Sequence, residues 1–277
     1  MKTLRATRFA FVLVLISLGF FLSSCEKVVS IDLNKAAPHL VIEGIVTDQQ
    51  DPSSVKLSLT GNYFEPSLVF PPVSGAVVIL TDDLGERDTL KETISGTYLS
   101  TKIKGVAGRT YALTVISGGT EYDGSSSMPN KVLIDSLYAI PRVAFDGDRG
   151  YDIYVMFRDP PQPGNYYRIN ARSSSLIPSD SIDGRRYRLF TDKLTNGNEM
   201  AERIRAGRNV NPGDTITVEL LSIDKAAYDY FNTLSDILSS DRAATSLSPA
   251  NPNTNLTNGP LGYFAAYTVD TKKIVLK

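Results

Sequence analysis

The chain has no tryptophan, one histidine and one cysteine in 277 residues. A nucleophilic triad needs a base that titrates near pH 7, normally histidine. The single candidate, His39, opens a β-branched run and reads as a strand-edge residue rather than a general base. Zinc sites built on His and Cys are excluded by count. One cysteine forms no disulfide within the chain, so the fold must be held by its core. There is no Gly-x-Ser-x-Gly elbow and no phosphate-cradling glycine loop followed by Lys and Ser/Thr. The lack of tryptophan weakens a carbohydrate-stacking platform. Long hydrophobic runs are missing too. Phe9 to Leu22 is fourteen residues without a charge, short of the about 20 that cross a bilayer as a helix. Downstream apolar stretches are broken by Gly, Pro and Asp.

What is present at the start reads as an address. Lys2, Arg5 and Arg8 precede the apolar run, and the small residues Ser23 and Ser24 follow it, the order of a secretory signal peptide. Leu22-Ser23-Ser24-Cys25 resembles the bacterial lipobox, with cleavage before a Cys that is then lipidated. The bland alternative is a chance cysteine near an ordinary cleavage site. The expectation is a signal peptide over 1–24, lipidation of Cys25 and a tether over 25–37. A triacylated Cys anchors firmly, because each buried CH₂ adds about 0.8 kcal/mol. Glu26 rather than Asp follows the Cys, which favours the outer membrane, facing either the periplasm or the cell surface. Residues 25–277 carry 26 Lys+Arg against 30 Asp+Glu. That balance argues against nucleic acid as a partner.

Beyond the tether the pattern is β-rich. Val55, Leu57 and Leu59 alternate along one face of Ser54 to Thr60, the period of a half-buried strand. Ala76 to Thr81 and Arg87 to Thr93 flank the turn Asp82-Asp83-Leu84-Gly85, and Thr110 to Ile116 adds another strand. Short strands with turns every 8–12 residues predict a β-sandwich over 38–128. The block from Val73 to Tyr111 resembles transthyretin-like and carboxypeptidase-regulatory-like (Ig-like) modules, usually structural or interaction domains. Gly118 to Pro129, rich in small polar residues, reads as a linker. A second β-sandwich is expected over 129–277, ending in a hairpin within Gly262 to Leu276. One helix is predicted over 224–239: Asp224 is its N-cap, and Ala227, Tyr230, Phe231, Leu234 and Leu238 recur at helical spacing, a stripe fit to cover a sheet face.

Several side chains are candidates for chemistry. Asp146, Asp148 and Asp152 fall within one short loop, and such spacing suits Ca²⁺. The series departs from an EF-hand, since Tyr151 replaces the turn glycine and no bidentate Glu closes it; a plain Asp/Gly turn explains the same residues. No other cofactor is expected. Tyr63, Phe64 and Phe70 in a proline-rich connection, with Tyr166 and Tyr167 after Pro160 to Gly164, are candidate ligand-binding aromatics, against a reading as core packing. Asp180-Ser181-Ile182 resembles the O-glycosylation acceptors of Bacteroidota envelope proteins.

The order of motifs carries a wider resemblance. Cys25-Glu26-Lys27, Ile31-Asp32-Leu33, Leu40 to Gly44, Pro72 to Ala76, Tyr166-Tyr167-Arg168, Gly213 to Val218, Tyr228-Asp229-Tyr230 and Asn251-Pro252 through Leu261-Gly262-Tyr263-Phe264 resemble DUF4249, a Bacteroidota outer-membrane lipoprotein family of unknown function. The resemblance spans the whole mature chain. It implies an outer-membrane lipoprotein, often encoded beside a TonB-dependent receptor, and supplies no catalytic residues. The expected role is a lipid-anchored binding or accessory protein that partners such a receptor or presents a surface to a small ligand. The rival readings are a Ca²⁺-dependent adhesin and a hydrolase with a carboxylate-only site. Two close carboxylates with raised pKa in a deep cleft would favour the hydrolase, and a shallow tyrosine patch would favour binding.

Overall fold

The computed structural model describes residues 38–61, 70–143, 149–176, 187–206, 210–240 and 251–277. The leader and tether, with Cys25, lie outside the described residues, as do Tyr63, Phe64, Asp146, Asp148 and Ser181.

Alternating apolar residues produce fifteen strands among the described residues. In the first half these are β1 (Leu40–Thr47), β2 (Ser54–Leu59), β3 (Val77–Asp82), β4 (Arg87–Thr89), β5 (Lys91–Ile94), β6 (Thr97–Leu99), β7 (Thr110–Ser117) and β8 (Thr120–Ser127). The second half holds β9 (Ile134–Val143), β10 (Arg149–Arg158), β11 (Tyr166–Ser173), β12 (Arg188–Thr191), β13 (Glu199–Ala206), β14 (Thr215–Ile223), helix α1 (Lys225–Ser240) and β15 (Leu261–Val275). The protein is mainly β, as composition and turn spacing predict.

One eight-stranded sheet, in the order β12-β11-β14-β15-β1-β2-β6-β5, organises the molecule. Two smaller sheets, β4-β3-β7-β8 and β13-β10-β9, share one of its faces. The first closes over Ile42, Val46, Leu57, Leu113 and Phe264, the second over Ile153, Phe157, Ile169, Val218 and Leu220. Strand β15 serves both cores from one side: Phe264 and Ala266 belong to the first, and Ile274 packs against the second. The boundary expected at 128/129 falls between β8 and β9, where one small sheet gives way to the other. The large sheet does not break there, because β15 lies parallel to β1 and antiparallel to β14.

The expected closing hairpin is one continuous strand. Val41 to Thr47 pair with the first half of β15 and Thr215 to Ser222 with the second, so each stretch has a partner without turning back. Two glycines permit this closeness. A Cβ on Gly262, at φ +97°, would stand 2.0 Å from the Ile42 carbonyl oxygen and force the backbone apart, and one on Gly44 would press on the Phe264 and Leu113 side chains at 2.8 and 2.9 Å. The expected linker is a strand as well. Gly118 and Gly119, both at positive φ, turn β7 into β8 with Ser117 opposite Thr120, the geometry of a two-residue hairpin. Backbone pairing, not side-chain burial, makes the Ser-rich segment a strand.

Helix α1 lies against the opposite face of the large sheet and starts where Asp224 was read as its cap. Asp224 Oδ1 accepts the Ala227 amide at 2.9 Å, and Oδ2 accepts Ser126 Oγ at 2.6 Å and the Ser127 amide at 3.1 Å. Ser126 Oγ in turn accepts the Ala266 amide at 2.8 Å. One carboxylate thus ties the helix start, β8 and β15 together. His39 sits just before β1, exposed, its carbonyl accepting the Thr60 amide; it is the edge residue its position suggests.

Candidate binding surfaces

Strand alternation separates the paired candidates Tyr166 and Tyr167. Tyr167 faces the second core, 1% exposed. Its hydroxyl donates to Asp159 Oδ1, and Asp159 Oδ2 accepts the Gly197 amide at 2.8 Å. Burial, reinforced by the Asp159 charge, drives the tyrosine pKa far up. Tyr167 is therefore a core latch and not a rim residue, because period-two alternation sends neighbours to opposite faces. Tyr166 points to the helix side and packs on Tyr228 at 5.0 Å between ring centroids. Phe70 is 59% exposed beside Gly61.

Under α1 the sheet carries an aromatic cluster. Tyr230, Phe231 and Tyr263 pack with centroids 4.7 to 5.3 Å apart, and Tyr187 meets Phe231 at 5.4 Å. The Arg168 guanidinium lies 4.5 Å from the Tyr187 centroid and 4.2 Å from that of Phe231, a cation–π contact of about 0.5–2 kcal/mol per ring. Burial, with the nearby Glu43 charge, pushes the Tyr230 pKa up to about 12. The helix roofs this cluster completely enough that Tyr230 and Tyr263 are each 9% exposed. Its role is to seat the helix.

The outer face of β13-β10-β9 has the same ingredients without a roof. Register places Tyr138, Tyr154 and Arg203 in one row and Ile140, Asp152 and Arg205 in the next. The Tyr138 and Tyr154 rings stack at 5.0 Å and 10°. Tyr138 is 42% and Ile140 49% exposed. Four arginines (Arg142, Arg158, Arg203 and Arg205) share this face with two acids, Asp152 and Glu199. Asp152, proposed from sequence as a calcium ligand, stands 3.5 Å from Arg142 Nε and 3.8 Å from Arg203 Nη1. Two guanidiniums already neutralise it, so a cation at this carboxylate would meet repulsion from both. Among the described residues no group of three or more acidic, His or Cys side chains gathers in a way that fits a metal. Sequence reasoning missed Tyr138 and Tyr154; the one signal was Tyr138 and Ile140 alternating outward across a hairpin from Tyr154.

The carboxylates bear on the hydrolase reading. Asp88, 2% exposed, accepts Ser100 Oγ at 2.7 Å and the Thr101 and Lys102 amides at 2.7 and 2.8 Å. Burial alone would raise its pKa, and these hydrogen bonds bring it below the usual value. Asp192 Oδ2 holds the Gly164 and Asn165 amides. Asp214, lowered chiefly by the Asn211 amide and Ser175, closes the turn into β14. Each of these acids builds a turn. Burial raises the pKa of Glu202, with Arg188 drawing it back.

A family model for a domain of unknown function, DUF4249, matches residues 26–273. The chain belongs to the DUF4249 family. Its description assigns no activity, and no curated protein matches the chain. The match takes in all three sheets and the helix, so the shared large sheet lies within this DUF4249 region.

Proposed function

We propose that this DUF4249 protein is a lipid-anchored accessory protein of the outer membrane that docks on a partner through the outer face of β13-β10-β9. The observation that carries this reading is the stack of exposed Tyr138 on half-buried Tyr154 among Ile140, Met156 and four arginines. Tyr, Arg and Met are the residue types enriched at interface centres, and Tyr and Arg dominate binding hot spots. A shallow tyrosine face favours binding over hydrolysis. The net positive charge of the face suits an acidic surface on the partner. The anchor rests on the Leu22 to Cys25 segment, and the partner class, a TonB-dependent receptor, rests on the family resemblance.

The test uses full-length protein with a C-terminal tag, extracted from outer membrane in mild detergent. Stoichiometric recovery of one β-barrel receptor is expected, and Tyr138→Ser with Arg203→Glu should abolish it. Cys25→Ala should release the protein from the membrane fraction. Recovery of the protein alone, or of a receptor retained by the face variant, refutes the docking assignment.

A further inference from the structure

A cleft opens at the far end of the large sheet, on the face that bears α1 but beyond the helix. Its cavity measures about 430 Å³. Arg172, Thr217 and Lys273 form its floor as direct cross-strand neighbours on β11, β14 and β15. With strands about 4.8 Å apart, the two cationic residues start roughly 10 Å apart with a threonine between them. Thr215 and Ser174 add hydroxyls at the mouth, and Leu176 forms one apolar wall.

The electrostatics leave an excess of positive charge. Arg172 pairs with Glu219 through one terminal nitrogen, and the second Glu219 oxygen is held by Asn170 Nδ2 at 3.1 Å. The remaining guanidinium donors of Arg172 stay available, since arginine has five. Among the described residues Lys273 has no carboxylate partner. The cleft therefore offers two cations against one acid, with the Thr217 hydroxyl between them and those of Thr215 and Ser174 alongside. The local backbone is braced: Ser174 Oγ accepts the Thr215 amide at 3.0 Å, and the Ser174 amide reaches the Thr215 carbonyl at 2.9 Å.

We propose that this cleft binds a small sugar acid, its carboxylate between Lys273 and Arg172 and its hydroxyls on Thr217, Thr215 and Ser174. A bare anion would use the cations and leave most of the cavity empty. A neutral sugar would leave Lys273 without a counter-charge. A cavity of this volume falls in the usual range for small-molecule sites. The site is separate from the docking face and stands whether or not that assignment holds.

The experiment is calorimetric titration of the full-length protein in detergent with galacturonate, using galactose and sodium sulfate as comparison probes. Galacturonate should bind, with galactose and sulfate each weaker by about tenfold or more, a difference of about 1.4 kcal/mol. Lys273→Gln should weaken galacturonate about tenfold, and Thr217→Val should weaken it less. Tyr138→Ser should leave it unchanged, which separates this site from the docking face. Absence of galacturonate binding overturns the proposal. So does sulfate binding as tightly as galacturonate, or a Lys273→Gln protein of native circular dichroism that binds as the parent does.

Discussion

Two faces of this molecule carry tyrosines beside arginines, and they differ in what covers them. On one, Arg168 lies against Tyr187 and Phe231 beneath α1; on the other, Tyr138 and Tyr154 stack in the open near Arg203. The covered group is closed by the chain's own helix, whose apolar stripe matches it residue for residue. No element of the described chain reaches the open group. The same chemistry that seats a helix at one place is therefore displayed at another, and the difference lies in topology rather than composition. The lesson is that an aromatic–arginine pattern signals an interface, and only the fold says whether the interface is internal.

The comparison breaks most visibly at Phe231. Phe231→Ala should cost about 3–5 kcal/mol in denaturant unfolding, as core Phe truncations do, because the ring meets Tyr187, Tyr230, Tyr263 and Arg168 together. If the loss is under about 1 kcal/mol, the helix is not seated by this cluster. Asp224→Ala is next, at about 1–2 kcal/mol, since it removes the cap and leaves buried Ser126 without its acceptor; a fluorescence or circular dichroism melt measures it. Tyr154→Ala on the open face should change stability by less than about 1 kcal/mol, the scale of a single cross-strand pair, while weakening the docking described above. A large stability loss there would mean the open face is structural after all.

The smallest effect is a pH dependence of the covered face, which it shares with the buried Tyr167 of the second core. The Tyr230 pKa is raised to about 12 from an ordinary value of 10.0. The folded state thus keeps its phenol proton where the unfolded chain loses it. Ionisation favours the unfolded chain, so stability is full below pH 10 and declines between pH 10 and 12. Tyr230→Phe should flatten that decline in alkaline denaturant titrations; an unchanged slope would place the dependence elsewhere.

Much of the fold is legible in the sequence because burial on one side leaves a period. β2, β10 and β14 alternate cleanly, and the helix announces itself through Asp224 and its stripe. β8 is illegible because Ser, Gly and Asp supply little apolar pattern; hydrogen bonds to β7 and to Asp224 hold it instead. β13 hides for a related reason: among its inward residues Met200, Ile204 and Ala206 stands the charged Glu202, opposite Val155. The central place of β15 has no local signal at all, since pairing with β1 joins residues more than 200 positions apart. The open face depends on register between β9 and β10, which no single strand encodes. Tyr166 and Tyr167 differ only in parity, and the sequence does not say which parity faces the core.

The parallel union of β1 with β15 also sets an order of events. The first strand and the last occupy the middle of the eight-stranded sheet, so a ribosome or a translocation channel must release the final residues before that sheet can be joined. Until then β1 and β2 end on an open edge, and β14 lacks its neighbour. Long-range pairing of this kind slows folding. On the lipid-anchored reading proposed above, which requires export as an extended thread, the delay is an advantage: the C-terminal strand acts as the closing clasp.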